Sequence, residues 1–155
     1  HRRQSDVVRG GKKDLWDELI KPVPLYIKQA FVAQQDMTVV RVREYTDSAK
    51  LTIKGKTTGI SKLEFEYAIP LADAQVLINE LGGPVIEKDR FHIQYKDQLW
   101  EVDVFYGDNE GLIVAEAELD SEDQLLELPN WIKEEVSYDP RYFNSNLQSH
   151  PFKSW

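Results

Sequence analysis

The sequence contains no cysteine and only one methionine among its 155 residues. Without cysteine there are no disulfide bonds, no thiolate metal sites and no cysteine nucleophile. No apolar run approaches the roughly 20 residues that a membrane-spanning helix needs, and no signal peptide is recognisable. We therefore expect a cytoplasmic protein that has no membrane partner. For its oligomeric state we expect a monomer or a homodimer.

Positive charge is scarce overall but concentrated in one stretch of the chain. The formal net charge is -8, which argues against a nucleic-acid partner held by bulk charge. The segment 41–62 is nevertheless rich in Arg and Lys, whereas the C-terminal half is rich in Asp and Glu. A locally positive surface on an acidic protein favours a small anionic ligand over a polyanion.

Seven strands are predicted, three of them in the segment 38–67. Because strand side chains alternate between the two faces of a sheet, each of these three has one charged and one apolar face. The same alternation recurs in the strands predicted within 85–119. The charged faces carry seven basic residues (Arg41, Arg43, Lys54, Lys56, Lys62, Lys88, Arg90) and six acidic ones (Glu64, Glu66, Glu101, Asp103, Glu116, Glu118).

This alternation has two interpretations. The usual one is a half-buried antiparallel sheet whose charged face is solvated and binds no ligand. The other is a closed sheet with its charges directed inward, because the opposite faces carry large apolar side chains that need a cover. Amphipathic helices predicted near 14–20, 71–81 and 122–128 could provide that cover. Trp16, Trp100 and Trp131 are interpreted as packing residues, and Trp155 as a mobile end.

A charged interior needs a ligand, since buried like charges are costly unless they are paired or neutralised. Arg and Lys facing carboxylates would suit a polyphosphate whose charge is shared with a divalent metal. Hard cations such as Mg²⁺ prefer oxygen ligands, and the pairs Glu64/Glu66 and Glu116/Glu118 each send two carboxylates to one side.

Seven motifs in chain order resemble those of the CYTH domain, also called the triphosphate tunnel metalloenzyme family. The resemblance covers roughly residues 22–147 and is greatest to small bacterial-type members that hydrolyse inorganic triphosphate. It implies a mainly β fold of α+β type, a closed antiparallel eight-stranded β-barrel with a charged tunnel and short helices outside. One domain would span 1–155, with an atypical N-terminus at 1–12 and a tail at 148–155. The motifs are TVVRVRE, LTIKGKTTG, KLEFEYAIP, VIEKDR, WEVDVF, VAEAELDSE and EEVSYDPRYFNSNL.

The resemblance also implies residue roles, with triphosphate or a nucleoside triphosphate as substrate and Mg²⁺ or Mn²⁺ as cofactor. Lys54, Lys88 and Arg90 would be catalytic, and Lys62 stands where an arginine is more usual. His92 is interpreted as a tunnel-wall residue. The substrate-binding set is Arg41, Arg43, Lys54, Lys56, Lys62, Lys88, Arg90 and Arg141. The metal-binding set is Glu116, Glu118, Asp103, Glu64 and Glu66, of which Glu64 and Glu66 could instead order the basic residues.

One motif of the family is missing. The family opens with Glu-x-Glu-x-Lys on its first strand, whereas the corresponding register here places Gln4, Asp6 and Val8. Lys12 or Lys13 would replace the lysine only in a different register. Two alternatives to a triphosphatase therefore stay open: a tunnel that binds polyphosphate or a nucleotide without turnover and, ranked lower, an adenylate cyclase of CYTH type.

Overall fold

The computed structural model describes residues 2–6, 13–58, 61–120, 124–132, 134–137, 139–142, 144–147 and 150–155. The chain divides into two compact units. Residues 26–87 form the Arg41 unit, and residues 1–25 with 88–155 form the Asp103 unit. Both are built mainly from antiparallel strands, which confirms the predicted mainly β class. The single domain over 1–155 stays a prediction.

Strands outnumber helices among the described residues. The helices are short: α1 (Lys13–Glu18), α2 (Leu71–Val76), which continues as the π-helical segment Leu77–Leu81, and α3 (Asn144–Leu147). Single 3₁₀ turns lie at Gly107–Asn109, Pro140–Tyr142 and Phe152–Ser154. The strands are β1 (Arg2–Asp6), β2 (Leu25–Gln35), β3 (Thr38–Glu44), β4 (Ala49–Thr58), β5 (Ser61–Ile69), β6 (Ile86–Tyr95), β7 (Gln98–Phe105), β8 (Ile113–Glu118) and β9 (Glu134–Glu135).

In the Arg41 unit the strands pair in the order β5-β4-β3-β2. The apolar face of this sheet packs against α2 and the segment that follows it. Gly82 ends that segment, and a Cβ atom at this position would collide with the Ile78 carbonyl oxygen and approach the Ala30 Cβ to 3.0 Å. The buried residues of this core are Ala30, Val42, Ala49, Ala74 and Ile78.

In the Asp103 unit the order is β6-β7-β8-β1-β9. The apolar face of this sheet is covered by α1 and by the irregular segment 124–132, through aromatic side chains. Trp131 lies edge-on to Trp16 at 5.4 Å and to Trp100 at 6.2 Å between ring centroids. Phe91, on the same face, meets Trp16 edge-on at 5.5 Å. The prediction that these three tryptophans are packing residues is confirmed.

Both units therefore place a helix or an irregular segment on the apolar face of the sheet, as the inward-charge interpretation required. The described strands of each unit form an open series, so neither unit closes by itself into a barrel. The N-terminal strand β1 (Arg2–Asp6) was not among the seven strands predicted from the sequence, and the Val7–Val8 pair that follows it lies outside the described residues. No helix in the described part of the chain is long and apolar enough to cross a membrane.

Two predictions for the C-terminal third are wrong. The helix expected over 122–128 is absent from residues 124–128, which have no regular structure, while 121–123 lie outside the described part. Trp155 is not a mobile end: its ring lies edge-on to Tyr142 at 5.0 Å and to Phe152 at 5.1 Å. Its indole nitrogen also donates a hydrogen bond to the His150 carbonyl oxygen. Aromatic burial at a chain end outweighs the usual fraying of termini.

Candidate functional site

The charged face of the Arg41 unit is assembled by strand register. Arg41 lies opposite Thr52 and Arg43 opposite Lys50, so these four residues share one face of β3 and β4. The β4–β5 register adds two carboxylates to that face, since Thr52 lies opposite Glu66 and Lys54 opposite Glu64. The two registers thus bring five residues with predicted binding roles to one surface: Arg41, Arg43, Lys54, Glu64 and Glu66.

Arg43 is held by a residue that has no predicted role. Gln29 lies opposite Arg43 in the β2–β3 register and is completely buried. Its side-chain oxygen accepts hydrogen bonds from Arg43 Nε at 2.9 Å and from Arg43 Nη2 at 2.7 Å. Two donors converging on one neutral oxygen fix the guanidinium while leaving its charge intact.

Arg41 differs from Arg43 in that no described residue holds its Nε atom. Its Nε atom is buried and has no hydrogen-bond partner among the described residues. Burial, with a smaller contribution from the neighbouring charge of Arg43, lowers the pKa of Arg41 to about 10 despite the opposing charges of Glu64 and Glu66. A desolvated cation without a partner is unfavourable on its own and becomes favourable when an anion binds.

Other charges on this face are paired at the surface. Lys50 Nζ lies 3.0 Å from Glu66 Oε1, and both side chains are about half exposed. The hydrogen bond from Lys50 lowers the pKa of Glu66. Glu66 is therefore engaged by Lys50 at the surface, while the two roles that the sequence left open for it stay predictions.

The charged face of the Asp103 unit is a compact ionic cluster. Lys88 Nζ lies 2.8 Å from Asp103 Oδ2, and the Lys88 side chain is fully buried. Arg90 forms a two-point contact with Asp103, Nε to Oδ1 at 2.8 Å and Nη2 to Oδ2 at 3.0 Å. Arg90 Nη1 also reaches Glu101 Oε2 at 3.1 Å, and His92 Nε2 lies 3.6 Å from the same oxygen.

The ion pairs of this cluster outweigh burial in setting the pKa values of Asp103 and Arg90. Burial acts to raise the pKa of Asp103, but the Lys88 charge and the Arg90 hydrogen bond prevail and lower it to about 2. Burial likewise acts to lower the pKa of Arg90, yet the hydrogen bond and charge of Asp103 raise it above its ordinary value. With both oxygens engaged by cations, Asp103 is a partner of Lys88 and Arg90, and the metal-ligand role predicted for it finds no support in this geometry.

The remaining predicted metal ligands lie on β8. Glu116 lies opposite Glu101 on one side and opposite Gln4 on the other, and Glu118 lies opposite Arg2. Gln4, one of the residues that the sequence places at the positions of the missing family motif, therefore lies next to Glu116 in the sheet.

The described residues contain no group of three or more His, Asp or Glu side chains placed to share one ion. Mg²⁺ and Mn²⁺ do not need such a cage when substrate phosphate oxygens and water complete the coordination, because one or two protein carboxylates then suffice. Glu116 and Glu118, two residues apart on β8, would supply two such carboxylates to one side of the sheet.

Three predicted substrate-binding residues are not seen on the charged sheet faces: Arg141 makes other contacts, and the side chains of Lys56 and Lys62 are not described. Arg141 Nη2 lies 2.6 Å from Asp139 Oδ2, and its guanidinium stacks over Trp155 at 4.9 Å, so its visible role is in the C-terminal aromatic cluster. Lys56 and Lys62 lie on β4 and β5, but their side chains are outside the described part of the structure.

Antiparallel sheets with one ionic face and desolvated arginines define a class of protein suited to small polyanionic ligands. Within that class, the family model of the CYTH domain matches residues 25–144. The chain belongs to the CYTH domain family.

Two named relatives and one solved structure are similar to this chain. An inorganic triphosphatase of Acetivibrio thermocellus is 46% identical over 143 residues, which cover 92% of this chain and 90% of the relative. An inorganic triphosphatase of Nitrosomonas europaea is 35% identical over 115 residues, covering 72% and 76%. A crystal structure of an inorganic triphosphatase superimposes with a TM-score of 0.72 at 27% identity, covering 95% of each chain.

Proposed function

We propose that this chain hydrolyses inorganic triphosphate to phosphate and pyrophosphate. The observation that carries the proposal is Arg41, a partly buried guanidinium with a lowered pKa whose buried Nε has no hydrogen-bond partner among the described residues, beside the uncancelled charge of Arg43. A bound phosphate would supply the missing acceptor and counter-charge. The 46% identity to a protein named inorganic triphosphatase selects this substrate among small phosphate anions.

In the proposed reaction the oxygen of a water molecule attacks a terminal phosphorus, and the bond from that phosphorus to the bridging oxygen breaks. Pyrophosphate leaves, and the proton of the water passes to solvent or to a phosphate oxygen. Arg41 and Arg43 hold the phosphates in place and offset the charge that develops on the leaving group. Lys54 shares their face and is proposed to act with them.

Lys88 and Arg90 are proposed to act from the Asp103 unit as cations whose positions are set in advance. Asp103 and Glu101 hold them in fixed orientations, so little reorganisation is needed when charge develops on a phosphate. Glu116 and Glu118 are the residues proposed to hold Mg²⁺ or Mn²⁺. When bound, such an ion would neutralise phosphate charge and polarise a phosphoryl oxygen.

The closed eight-stranded tunnel and the single domain over 1–155 belong to the same proposal. They are supported by the family membership and by the character of each sheet, which is ionic on one face and, on the other, packs apolar side chains against a helix or an irregular segment. An enclosed, dry reaction space would strengthen every charge–phosphate contact. The cytoplasm and a monomeric or homodimeric state are carried forward as predictions.

The test is release of phosphate from inorganic triphosphate in the presence of Mg²⁺ or Mn²⁺. We expect turnover by the unmodified protein, a large loss in Arg41→Gln, and a loss in Glu116→Gln that higher metal concentration partly restores. The variant Asn79→Asp, at an exposed position of the π-helical segment, serves as a control and should leave turnover unchanged. Phosphate release no greater than that of Glu116→Gln would refute the proposal.

A second function is favoured by one observation, the position of Gln4 opposite Glu116. A family member with a glutamine at this place has one carboxylate fewer for a cation, which would weaken catalysis more than phosphate binding. The chain would then bind triphosphate without hydrolysing it. Calorimetry with tripolyphosphate, with and without Mg²⁺, distinguishes the two functions: binding with no phosphate release selects this one.

A further inference from the structure

Gln29 is a buried polar residue whose side-chain geometry is dictated by Arg43. An amide has one acceptor atom and one donor group, and the two Arg43 nitrogens that point at it are both donors. The oxygen of Gln29 must therefore face Arg43, because the flipped amide would set three donors against one another. Its nitrogen is buried and has no hydrogen-bond partner among the described residues.

The partner of Arg90 is chemically different. Arg90 is held by the two oxygens of Asp103 and by one oxygen of Glu101, so its positive charge is balanced by carboxylates. Arg43 has the same need for orientation but forms no ion pair with a carboxylate in the described part of the chain. The difference lies in the partner and not in the strand setting, since each arginine lies within a strand between one apolar and one acidic residue.

We propose that Gln29 is a positioning residue that orients Arg43 for phosphate while leaving its charge uncancelled. Because Gln29 is completely buried, it acts through Arg43 and does not itself touch the ligand. A carboxylate at this place would orient Arg43 at least as firmly, through charge-assisted hydrogen bonds, but would neutralise it. This inference depends on the phosphate-binding part of the proposed function and not on turnover.

The experiment compares two substitutions of similar volume. Gln29→Glu keeps the acceptor and strengthens the hold on Arg43, whereas Gln29→Met removes the acceptor and leaves the charge free. Affinity for tripolyphosphate is measured by calorimetry in EDTA, so that neither metal nor hydrolysis contributes. Asn79→Asp adds one negative charge at an exposed site and controls for the change in net charge. Thermal melts show whether each variant folds.

We expect Gln29→Glu to weaken binding by at least about tenfold, the effect of losing one charge-assisted contact. Gln29→Met should weaken it less, by about threefold, since a freed guanidinium still attracts phosphate. A purely structural role predicts the reverse order, with Gln29→Met the weaker binder.

The reverse order, or Gln29→Glu within twofold of the unmodified protein, would overturn the inference. Absence of tripolyphosphate binding by the unmodified protein would overturn it as well. Binding with the expected order but no phosphate release with Mg²⁺ would support the role of Gln29 and refute only the proposed hydrolysis. If Gln29→Met fails to fold, the comparison of Gln29→Glu with Asn79→Asp still decides, because Gln29→Glu retains the hydrogen bonds to Arg43.

Discussion

Arg43 and Arg90 occupy similar strand positions, yet their surroundings differ in one respect. Gln29, a neutral side chain, holds Arg43 through two hydrogen bonds, and Arg41 beside it has a lowered pKa and a buried Nε with no partner in the described part of the chain. Asp103 and Glu101, two carboxylates, hold Arg90, whose pKa is raised. The positive charge of Arg43 is therefore available to a ligand, whereas the charge of Arg90 is balanced by carboxylates of the protein.

Because of this difference, we expect substitutions in the Asp103 unit to affect mainly the stability of the fold, and those at Arg41 to affect mainly ligand binding. A buried ion pair contributes little net stability, but removing one partner is costly because the other charge is left buried and unpaired. A buried cation without a partner has the opposite behaviour: its removal relieves an unfavourable burial and deletes a ligand contact. Substitutions in the two units should therefore have opposite consequences.

The largest expected effect is on the Asp103 unit. Asp103→Asn leaves Lys88 buried without its counter-charge, and the free energy of unfolding should fall by about 3–5 kcal/mol in urea or guanidinium titrations. Asp47→Asn, at an exposed turn of the Arg41 unit, is the matched control and should leave stability unchanged. A loss below about 1 kcal/mol would mean that Lys88 is not held by this charge.

Acid should weaken the same cluster. The pKa of Asp103 is about 2 in the folded protein against an ordinary value of 3.8, so the stability it contributes is present above pH 3.8 and is lost as pH falls toward 2. The contribution amounts to about 2 kcal/mol. Unfolding titrations at a series of pH values should show this decline for the unmodified protein and its disappearance in Asp103→Asn. The same decline in both proteins would assign it to other carboxylates.

The smallest effect is expected at the surface pair of the Arg41 unit. Lys50 and Glu66 are about half exposed, and solvent and salt screen such pairs. Lys50→Ala should leave the melting temperature unchanged within error, with only a small, salt-dependent loss of tripolyphosphate affinity. A clear drop in melting temperature would show that this surface pair stabilises the fold as the buried cluster does, which would contradict the proposed difference between the two units.

Much of the fold could be predicted because strand alternation has a period of two. The pattern in 38–67 and 85–119 identified the ionic and apolar faces, and Phe65 and Phe91 do lie on the faces opposite the arginines. The helix expected at 122–128 was not found, because the spacing of Leu125, Leu126 and Leu128 suits a helix and an irregular segment equally well. In the structure Leu126 packs on the tryptophan core without a helix, and Leu125 is exposed.

The site was less predictable, because residue roles depend on register between strands far apart in sequence. Asp103 was placed on the correct face, but only the β6–β7 register shows that it lies opposite Arg90. Gln29 was missed for the same reason, since its place opposite Arg43 depends on a register that shifts between Phe31 and Ala33. The one signal that could have found it is a glutamine in the middle of a strand, beside the apolar residues Ala30 and Phe31, where a buried amide needs a partner.

The central claim is that Arg41 is a partly buried cation that binds a phosphate group of the ligand. Thermal melts of the unmodified protein and of Arg41→Gln, each with and without tripolyphosphate in EDTA, test it most directly, with Lys96→Gln as an exposed control that removes the same charge. A ligand that binds only the folded state raises the melting temperature. We expect a clear rise for the unmodified protein and for Lys96→Gln, and little or none for Arg41→Gln, whose melting temperature without ligand should be equal or higher. An equal rise in all three proteins would contradict the account.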